Sequence, residues 1–296
     1  MSLKMNTPLW FAARRILADR GSDFFRCWKQ TAETFDREDI HDLRVASRRL
    51  REGLTLFAPC YPAERLSILR RKVRKVTALL GDLRNIDEAL AFFTDEAVEL
   101  GDGYGEELSA CIGLYESRRE EARLKLKRKM KRMEPGAIRK TFSITIMFPH
   151  LFSPPAEAAD PFAAIEDFAR QTIDIRLEPV LALAPLAMRP EEALLQHRLR
   201  IAIKRYRYRM EVLSPLMGEG YKETHSHVKS YQDILGRLHD LDVFMELSTA
   251  IDLTGGARRA LTELIKGKRE NVFGRFLDKL EEAPLDVIGA RVRELL

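Results

Sequence analysis

Two segments of the chain combine a leading histidine with cationic residues at helical spacing. Residues 41–51 read HDLRVASRRLR, and residues 197–207 read HRLRIAIKRYR. In a helix, four positions of the first segment fall within an arc of about 80°: His41, Arg44, Arg48 and Arg51. Apolar residues take the opposite side. Such a helix packs one face into a core and presents the other as a strip of positive charge, which favours the binding of anions.

The cationic strip recurs at matching positions of the two segments. The pairs are His41 with His197, Arg44 with Arg200, Arg48 with Lys204, and Arg51 with Arg207. Within the same helix, only Glu52 is placed to reduce the repulsion among the cations of the first strip. Arginine grips phosphate with a two-pronged fork, lysine acts as a compact charge, and a row of both suits an anion that itself repeats. The residues therefore favour an extended phosphate polyanion over one isolated phosphate.

Further cations and the two histidines extend this hypothesis. The helix after the first strip carries exposed cations, and one cation of the second half matches Arg74: these weaker candidates are Arg70, Arg71, Arg74, Lys75 and Lys229. If the two strips face each other, they form the walls of one cationic channel. Neighbouring arginines disfavour protonation of His41 and His197 until an anion arrives. We therefore expect ligand binding to raise the pKa of both histidines.

The order of helical patterns predicts an all-α fold in two tandem helical domains. The domains would occupy residues 1–134 and 162–296 and be related by internal duplication. Residues 135–161 hold several prolines and no sustained helical period, which predicts an inter-domain linker. Near residues 21–22 the first amphipathic pattern is interrupted, leaving one helix or two short ones open.

A second motif repeats after the cationic strips. Residues 80–87, LGDLRNID, match residues 235–242, LGRLHDLD. A glycine after the last leucine of a helix commonly ends it, and an aspartate a few residues later can cap the next helix. We therefore interpret four positions of the motif as structural, with a helix ending near Leu80 and another beginning near Asp87: Gly81, Asp87, Gly236 and Asp242.

Composition limits the class of protein. The 296 residues carry a net charge of only +5, so anion binding must depend on where the cations lie. The three cysteines form no disulfide or zinc-site spacing, and no secretory leader or long apolar run is evident. We expect a cytoplasmic protein that does not span a membrane, with no cofactor and no metal.

Two other functions are open. The dipeptides at His41 and His239, each followed by aspartate, are reminiscent of metal-dependent phosphohydrolases, but Asp42 matches Arg198 and His239 matches Arg84, so neither dipeptide survives in its repeat. The strips would also suit a sugar–phosphate backbone, although aromatic residues for stacking on bases are few. Nucleic-acid binding is the stronger of these alternatives.

The two repeated motifs together resemble the CHAD family, the histidine-centred α-helical domains, from about residue 8 to 290. The resemblance implies two tandem four-helix bundles related by pseudo-twofold symmetry, with a basic cavity between them. It also implies binding of inorganic polyphosphate without catalysis, and association of some members with polyphosphate granules or triphosphate tunnel enzymes. Carried over by motif, the ligand-contacting positions are His41, Arg44, Arg48, Arg51, His197, Arg200, Lys204 and Arg207, with Arg71, Arg74 and Lys229 as weaker additions. The chain has no segment left for the catalytic β-barrel of a tunnel enzyme.

Overall fold

The computed structural model describes residues 3–149, 151, 159–251 and 253–296. Within them the chain is helical, and the one extended pairing is an isolated bridge between Pro8 and Ala164. The ten described helices are α1 (Leu9–Thr34), α2 (Arg37–Leu56), α3 (Ala63–Leu100), α4 (Gly105–Lys131), α5 (Pro135–Met147), α6 (Ile165–Leu183), α7 (Ala193–Leu213), α8 (Tyr221–Ala250), α9 (Gly255–Glu282) and α10 (Leu285–Glu294). The predicted all-α fold is confirmed.

The main helices of each half pack in chain order. In the first half α1 packs on α2, α2 on α3 and α3 on α4; in the second half α6 packs on α7, α7 on α8 and α8 on α9. The halves meet where α2 packs directly against α7, and these two helices carry the two histidine-led segments. The second repeated motif lies on α3 and α8. This order agrees with two tandem bundles, while the duplication itself and its pseudo-twofold symmetry stay predictions.

The core is continuous between the halves. Buried apolar residues from α1 to α10 form a single cluster, and Phe92 of α3 stacks on Phe244 of α8 with ring centroids 4.0 Å apart. Close to that stack, the fully buried Glu96 of α3 accepts hydrogen bonds from the ammonium of Lys268 in α9 at 2.6 and 2.7 Å. The halves are therefore joined by apolar packing and by ion pairs, and the predicted bounds at 134 and 162 remain a prediction.

The second repeated motif lies inside helices and not at their ends. α3 continues through Gly81 and α8 continues through Gly236, so the prediction that a helix ends at each glycine was wrong. Leu80 and Leu83 are both buried, which keeps the apolar period unbroken across Gly81. A helical glycine costs about 1 kcal/mol relative to alanine, whereas burying one leucine contributes about 1.5–3 kcal/mol. Packing therefore outweighs the local preference of glycine.

The aspartates of the motif join helices and do not cap them. Asp87 of α3 accepts a hydrogen bond from Nε of Arg119 in α4 at 2.6 Å. Asp242 of α8 accepts one from Nε of Arg269 in α9, also at 2.6 Å. The matching positions thus make the same kind of contact in both halves, a structural role of a different form from the one expected.

The proline-rich segment contains a helix that the sequence analysis missed. α5 occupies residues 135–147, so the expectation that 135–161 has no helical period was wrong for this part, while 150 and 152–158 lie outside the described residues. Pro135 stands in the first turn, where its missing N–H needs no partner. The helix packs on α1 and α3 and is therefore part of the first half.

Gly21 explains both the packing of α5 and the interrupted pattern of α1. A methyl group at Gly21 would overlap the ring of Phe142, which is buried between α1 and α5. Glycine here lets the two helices approach closely, and α1 runs as one helix through this position. The interruption in the pattern is thus a close contact and not a helix end.

Candidate anion-binding site between the two halves

The first cationic strip lies on a helix that is well fixed in the core. α2 follows Asp36, whose carboxylate accepts a hydrogen bond from the backbone N–H of Asp39 at 2.8 Å. Leu43, Leu50 and Leu54 of α2 are fully buried. Because this apolar side is held, the opposite cationic side has a defined direction, towards α7 and α3.

The cationic sides of α2 and α7 meet between the halves. Burial, with the charges of Arg200, Arg48 and Arg44, lowers the pKa of Lys204 from 10.5 to about 8. Arg44 and Arg48 belong to α2, so the two strips lie close enough for their charges to interact. None of these four residues has an ion-pair partner among the described residues. We call Arg44, Arg48, Arg200 and Lys204 the unpaired cluster.

The surroundings of Arg44 in the unpaired cluster disfavour its charged form. Burial, with the charges of Arg48 and Arg84, lowers the pKa of Arg44 from 12.5 to about 10. The Nε atoms of Arg44 and Arg84 are shielded from solvent and have no hydrogen-bond partner. A buried donor without an acceptor costs about 1–3 kcal/mol, and more when it is charged. An anion rich in oxygen atoms would supply the missing acceptors.

The opposite end of the α2–α7 contact carries charges that are paired. Glu52 of α2 accepts a hydrogen bond from Nε of Arg209 at 2.8 Å and lies 3.4 Å from Nη2 of Arg176. Glu211 of α7 accepts one from Nε of Arg49 at 2.7 Å. We call Arg49, Glu52, Arg209 and Glu211 the paired interface. Glu52, the one acid expected to relieve the first strip, therefore forms its ion pairs with the second half.

The predicted histidines lie beside the unpaired cluster. His41 has its pKa lowered by burial and by the charges of Arg84, Arg44 and Arg48, against a smaller opposing effect of Asp42. His197 has its pKa lowered by burial and by Arg200 and Lys204. Both imidazoles are therefore favoured in the neutral form, as expected from the sequence.

His197 also contacts a histidine that the sequence analysis did not select for this site. Its Nδ1 lies 3.1 Å from Nδ1 of His239 in α8, so one ring donates a hydrogen bond and the other accepts it. Burial, with Arg200 and His197, lowers the pKa of His239 to about 4. The pair is therefore uncharged in the free protein.

The cations predicted on α3 and α8 are Arg71, Arg74 and Lys229, and of these Arg74 acts on Arg51 of the first strip. Arg51 has its pKa lowered by burial and then by Arg74, Arg48 and Arg70, which places the exposed cations of α3 next to the first strip. Arg71 and Lys229 are exposed on α3 and α8. Arg70 rather than Arg71 is thus the neighbour of Arg74 on the side that faces Arg51.

Arg207 differs from its counterpart Arg51 because it is already neutralised. Its Nη1 donates to the carboxylate of Glu211 at 2.6 Å, and its Nε donates to Gln232 at 2.9 Å. Glu211 stands four residues after Arg207, where the first strip has Thr55. The two strips are therefore unequal at this end.

Four polar residues in or next to the second motif join the site and were missed as site residues. Arg84 forms an ion pair with Glu88 at 2.6 Å and acts on both His41 and Arg44. His239 and Asp240 lie near Arg200. The available signal was that positions 84 and 239 match in the repeat and are basic in both copies. It was overlooked because the motif was interpreted as a helix end.

A cavity adjoins the unpaired cluster on the side of the first half. It has a volume of about 440 Å³ and is lined by residues of α2 and α3 that include Arg37, His41, Arg44, Arg84 and Asp87. Glu38 and Asp42 also line it, so its charged groups are three arginines and three carboxylates. Arg44 connects this cavity with the cluster between the halves.

Neither a metal cluster nor a membrane helix is found in the described part of the chain. No group of three or more histidine, cysteine, aspartate or glutamate residues there has the arrangement of a metal site. No helix there is long and apolar enough to cross a membrane.

Comparisons with known proteins agree with this architecture. The sequence model of the CHAD domain matches residues 15–249. The structure of a CHAD domain from the plant Ricinus communis is similar, with a TM-score of 0.59 and 24% identity over 100% of this chain and 95% of that one. PptA from Streptomyces chartreusis gives a TM-score of 0.70 and 17% identity over 93% and 100%. Among curated proteins no match was found. Since the family match covers most of its length, the chain belongs to the CHAD family.

Proposed function

We propose that this protein binds inorganic polyphosphate, or a similar phosphate polyanion, along the unpaired cluster, without acting on it chemically. The observation that carries the proposal is the convergence of Arg44, Arg48, Arg200 and Lys204 from two helices with no ion-pair partner among the described residues. Like charges held together in a partly buried place repel one another. A bound polyanion would remove that repulsion and satisfy the free guanidinium donors.

The shape of the cationic surface favours a chain over a single phosphate. From His41 to Arg51 the strip runs for ten residues, about 15 Å of helix. Arg70 and Arg74 prolong it on α3, and His197 and His239 continue it on the second half. A chain of phosphates can contact successive cations of such a row, whereas one phosphate meets only two or three.

Nucleic acid is the second candidate because its backbone also presents a row of phosphates. Few aromatic side chains lie near the cluster, and Tyr208, which accepts a hydrogen bond from Arg48 at 2.9 Å, is itself buried. Bases would therefore find little to stack on. Association with polyphosphate granules or with a triphosphate tunnel enzyme, in the cytoplasm, belongs to the same proposal.

A binding comparison tests the proposal. Affinity is measured for long-chain polyphosphate, tripolyphosphate and duplex DNA at several salt concentrations, with wild-type protein and with the Arg44→Ala/Arg200→Ala variant, while phosphate release is monitored. The control is Arg128→Ala/Arg132→Ala, which removes the same charge from exposed positions at the end of α4.

We expect polyphosphate to bind more tightly than DNA, with a steep salt dependence. The cluster variant should lose about 100-fold in affinity, since two charged hydrogen-bonding groups are removed, and the control should change little. Tighter binding of DNA would favour the nucleic-acid function. Metal-dependent release of phosphate would favour a phosphohydrolase and overturn the proposal.

A further inference from the structure

Two carboxylates lie inside the cationic site, one from each half. Glu88 of α3 and Asp240 of α8 each stand one helical turn before the rings of Phe92 and Phe244, whose centroids are 4.0 Å apart, so the two acids occupy neighbouring turns of the two helices. Their charges act on each other. Three arginines also act on Asp240: Arg200, Arg237 and Arg84. Asp240 has no hydrogen-bond partner among the described residues, whereas Glu88 is bound to Arg84 at 2.6 Å.

This pair is unusual because its acids compete with any incoming anion for the same arginines. Arg84 belongs to the side of Arg44 and His41, while Arg200 belongs to the side of Lys204 and His197. Asp240 is close enough to one cation of each group, Arg84 and Arg200, for the charges to interact. A phosphate chain that contacts both arginines therefore comes close to its carboxylate.

We propose that Asp240 and Glu88 form an internal counter-anion of the site, so that a phosphate polyanion binds together with a proton that this carboxylate pair takes up. The inference rests on the proposed function and describes its regulation. Acidification would then strengthen binding, and an alkaline medium would weaken it. The residue that takes up the proton is Asp240, because Glu88 keeps its ion pair with Arg84.

The protonation equilibrium of Asp240 is placed to respond near neutral pH. Burial, then the charge of Glu88, raises the pKa of Asp240 from 3.8 to about 6, against the opposing effect of three arginines. An anion bound to those arginines screens them and adds negative charge, and both changes raise the pKa of Asp240 further. The complex therefore holds more protons than the free protein at pH 7, and by linkage its affinity rises as the pH falls.

His197 and His239 act in the same direction and must be separated from this effect. They face Arg200, Lys204 and Asp242 and also gain protons when an anion arrives. A variant at Asp240 isolates the carboxylate, because it leaves both imidazoles in place. Asp240→Asn keeps the size of the side chain and removes the charge.

The experiment is calorimetric titration of wild-type protein with long-chain polyphosphate at pH 7, in two buffers of different ionisation enthalpy. The difference between the two heats gives the number of protons taken up per binding event. Long chains are chosen because their internal phosphates do not titrate near neutrality. The matched control is Asp233→Asn, which removes one exposed carboxylate from the same helix.

We expect clear proton uptake by the wild type and by Asp233→Asn, and a reduced uptake by Asp240→Asn. The Asp240→Asn variant should also bind roughly tenfold more tightly at pH 8, because one repelling charge is gone. Glu88→Gln is the second variant and should strengthen binding as well, since it frees Arg84. Melting curves confirm that each variant is folded.

The outcomes separate two kinds of failure. If polyphosphate binds but Asp240→Asn takes up as many protons as the wild type, the inference is wrong and the proposed function stands. If Asp240→Asn binds more weakly at pH 8, the carboxylate is a ligand-positioning group and the counter-anion is again excluded. If no polyphosphate binds at any pH, the proposed function fails and this inference fails with it.

Discussion

The paired interface and the unpaired cluster lie on the same two helices, yet they use charge in opposite ways. In the paired interface, Glu52 of the first half accepts a hydrogen bond from Arg209 of the second, and Glu211 of the second half accepts hydrogen bonds from Arg49 of the first and from Arg207. In the unpaired cluster, four cations are brought together and no acid forms an ion pair with them among the described residues. Charge holds the halves together at one end, and at the other it remains available for a ligand.

The pKa values of Glu211 and Lys204 show the same contrast between the two regions. Burial alone would raise the pKa of Glu211, but hydrogen bonds from His225 and Arg49 and the charge of Arg207 outweigh it, and the pKa falls to about 2. The pKa of Lys204 falls to about 8 because burial and neighbouring cations disfavour its charge. The ionised form is stabilised by the fold in the first case and destabilised in the second.

The largest effect is expected from breaking the paired interface with Glu211→Gln. Removing this acid leaves Arg49 and Arg207 without their partner, which should cost about 3 kcal/mol of unfolding free energy. Chemical denaturation measures the loss, with the exposed Glu219→Gln as control. Since the folded pKa of Glu211 is depressed, its stabilisation is complete above pH 4.5 and is lost as the pH falls towards 2. Equal stabilities of both variants would contradict the prediction.

Lys204→Met in the unpaired cluster is expected to raise the free energy of unfolding, whereas Glu211→Gln lowers it. Removing the charge should stabilise the free protein by about 2 kcal/mol at pH 7 and weaken polyphosphate binding about tenfold. The cost of the charged lysine is fully present below pH 8 and disappears between pH 8 and 10.5, so the stability gain should vanish over that range. Denaturation at several pH values tests this, with the exposed Lys222→Met as reference. A Lys204→Met variant less stable than the wild type at pH 7 would contradict this prediction.

A smaller difference in polyphosphate affinity is expected between variants of the matching arginines Arg51 and Arg207. Arg51→Ala removes a cation without an ion-pair partner and should weaken polyphosphate binding about fivefold, whereas Arg207→Ala removes one already neutralised by Glu211 and should change affinity less than about twofold. Titration at fixed salt gives both numbers. Equal losses would indicate that the ligand displaces Glu211 and that the two strips contribute alike.

The smallest expected effect is a change in the pKa values of His41 and His197. Binding of polyphosphate should raise the pKa values of His41 and His197, because an anion offsets the arginine charges that lower them. NMR titration of the imidazole signals with and without ligand measures the change, and the Arg44→Ala/Arg200→Ala variant is the control. Unchanged values in wild-type protein would show that the ligand lies away from both histidines.

Periodicity in the sequence predicted most of the helices but not all of their ends. Helical spacing predicted that the two histidine-led segments are helices, and they lie on α2 and α7. It failed at Gly81, where two buried leucines carry α3 past a residue that favours a helix end. It also failed at α5, a helix in a proline-rich segment that is held by its contacts with α1.

By itself, the sequence determined the all-α class and the composition of two cationic strips, since both depend on which residues recur at helical spacing along one segment. Only the tertiary structure decided that Glu52 forms its ion pairs with Arg209 and Arg176, that Glu211 accepts a hydrogen bond from Arg49 of the first half, and that Asp240 lies near Arg84 and Arg200. Most of these contacts join residues far apart in the chain, and their strength depends on burial and distance, neither of which can be read from spacing in the chain.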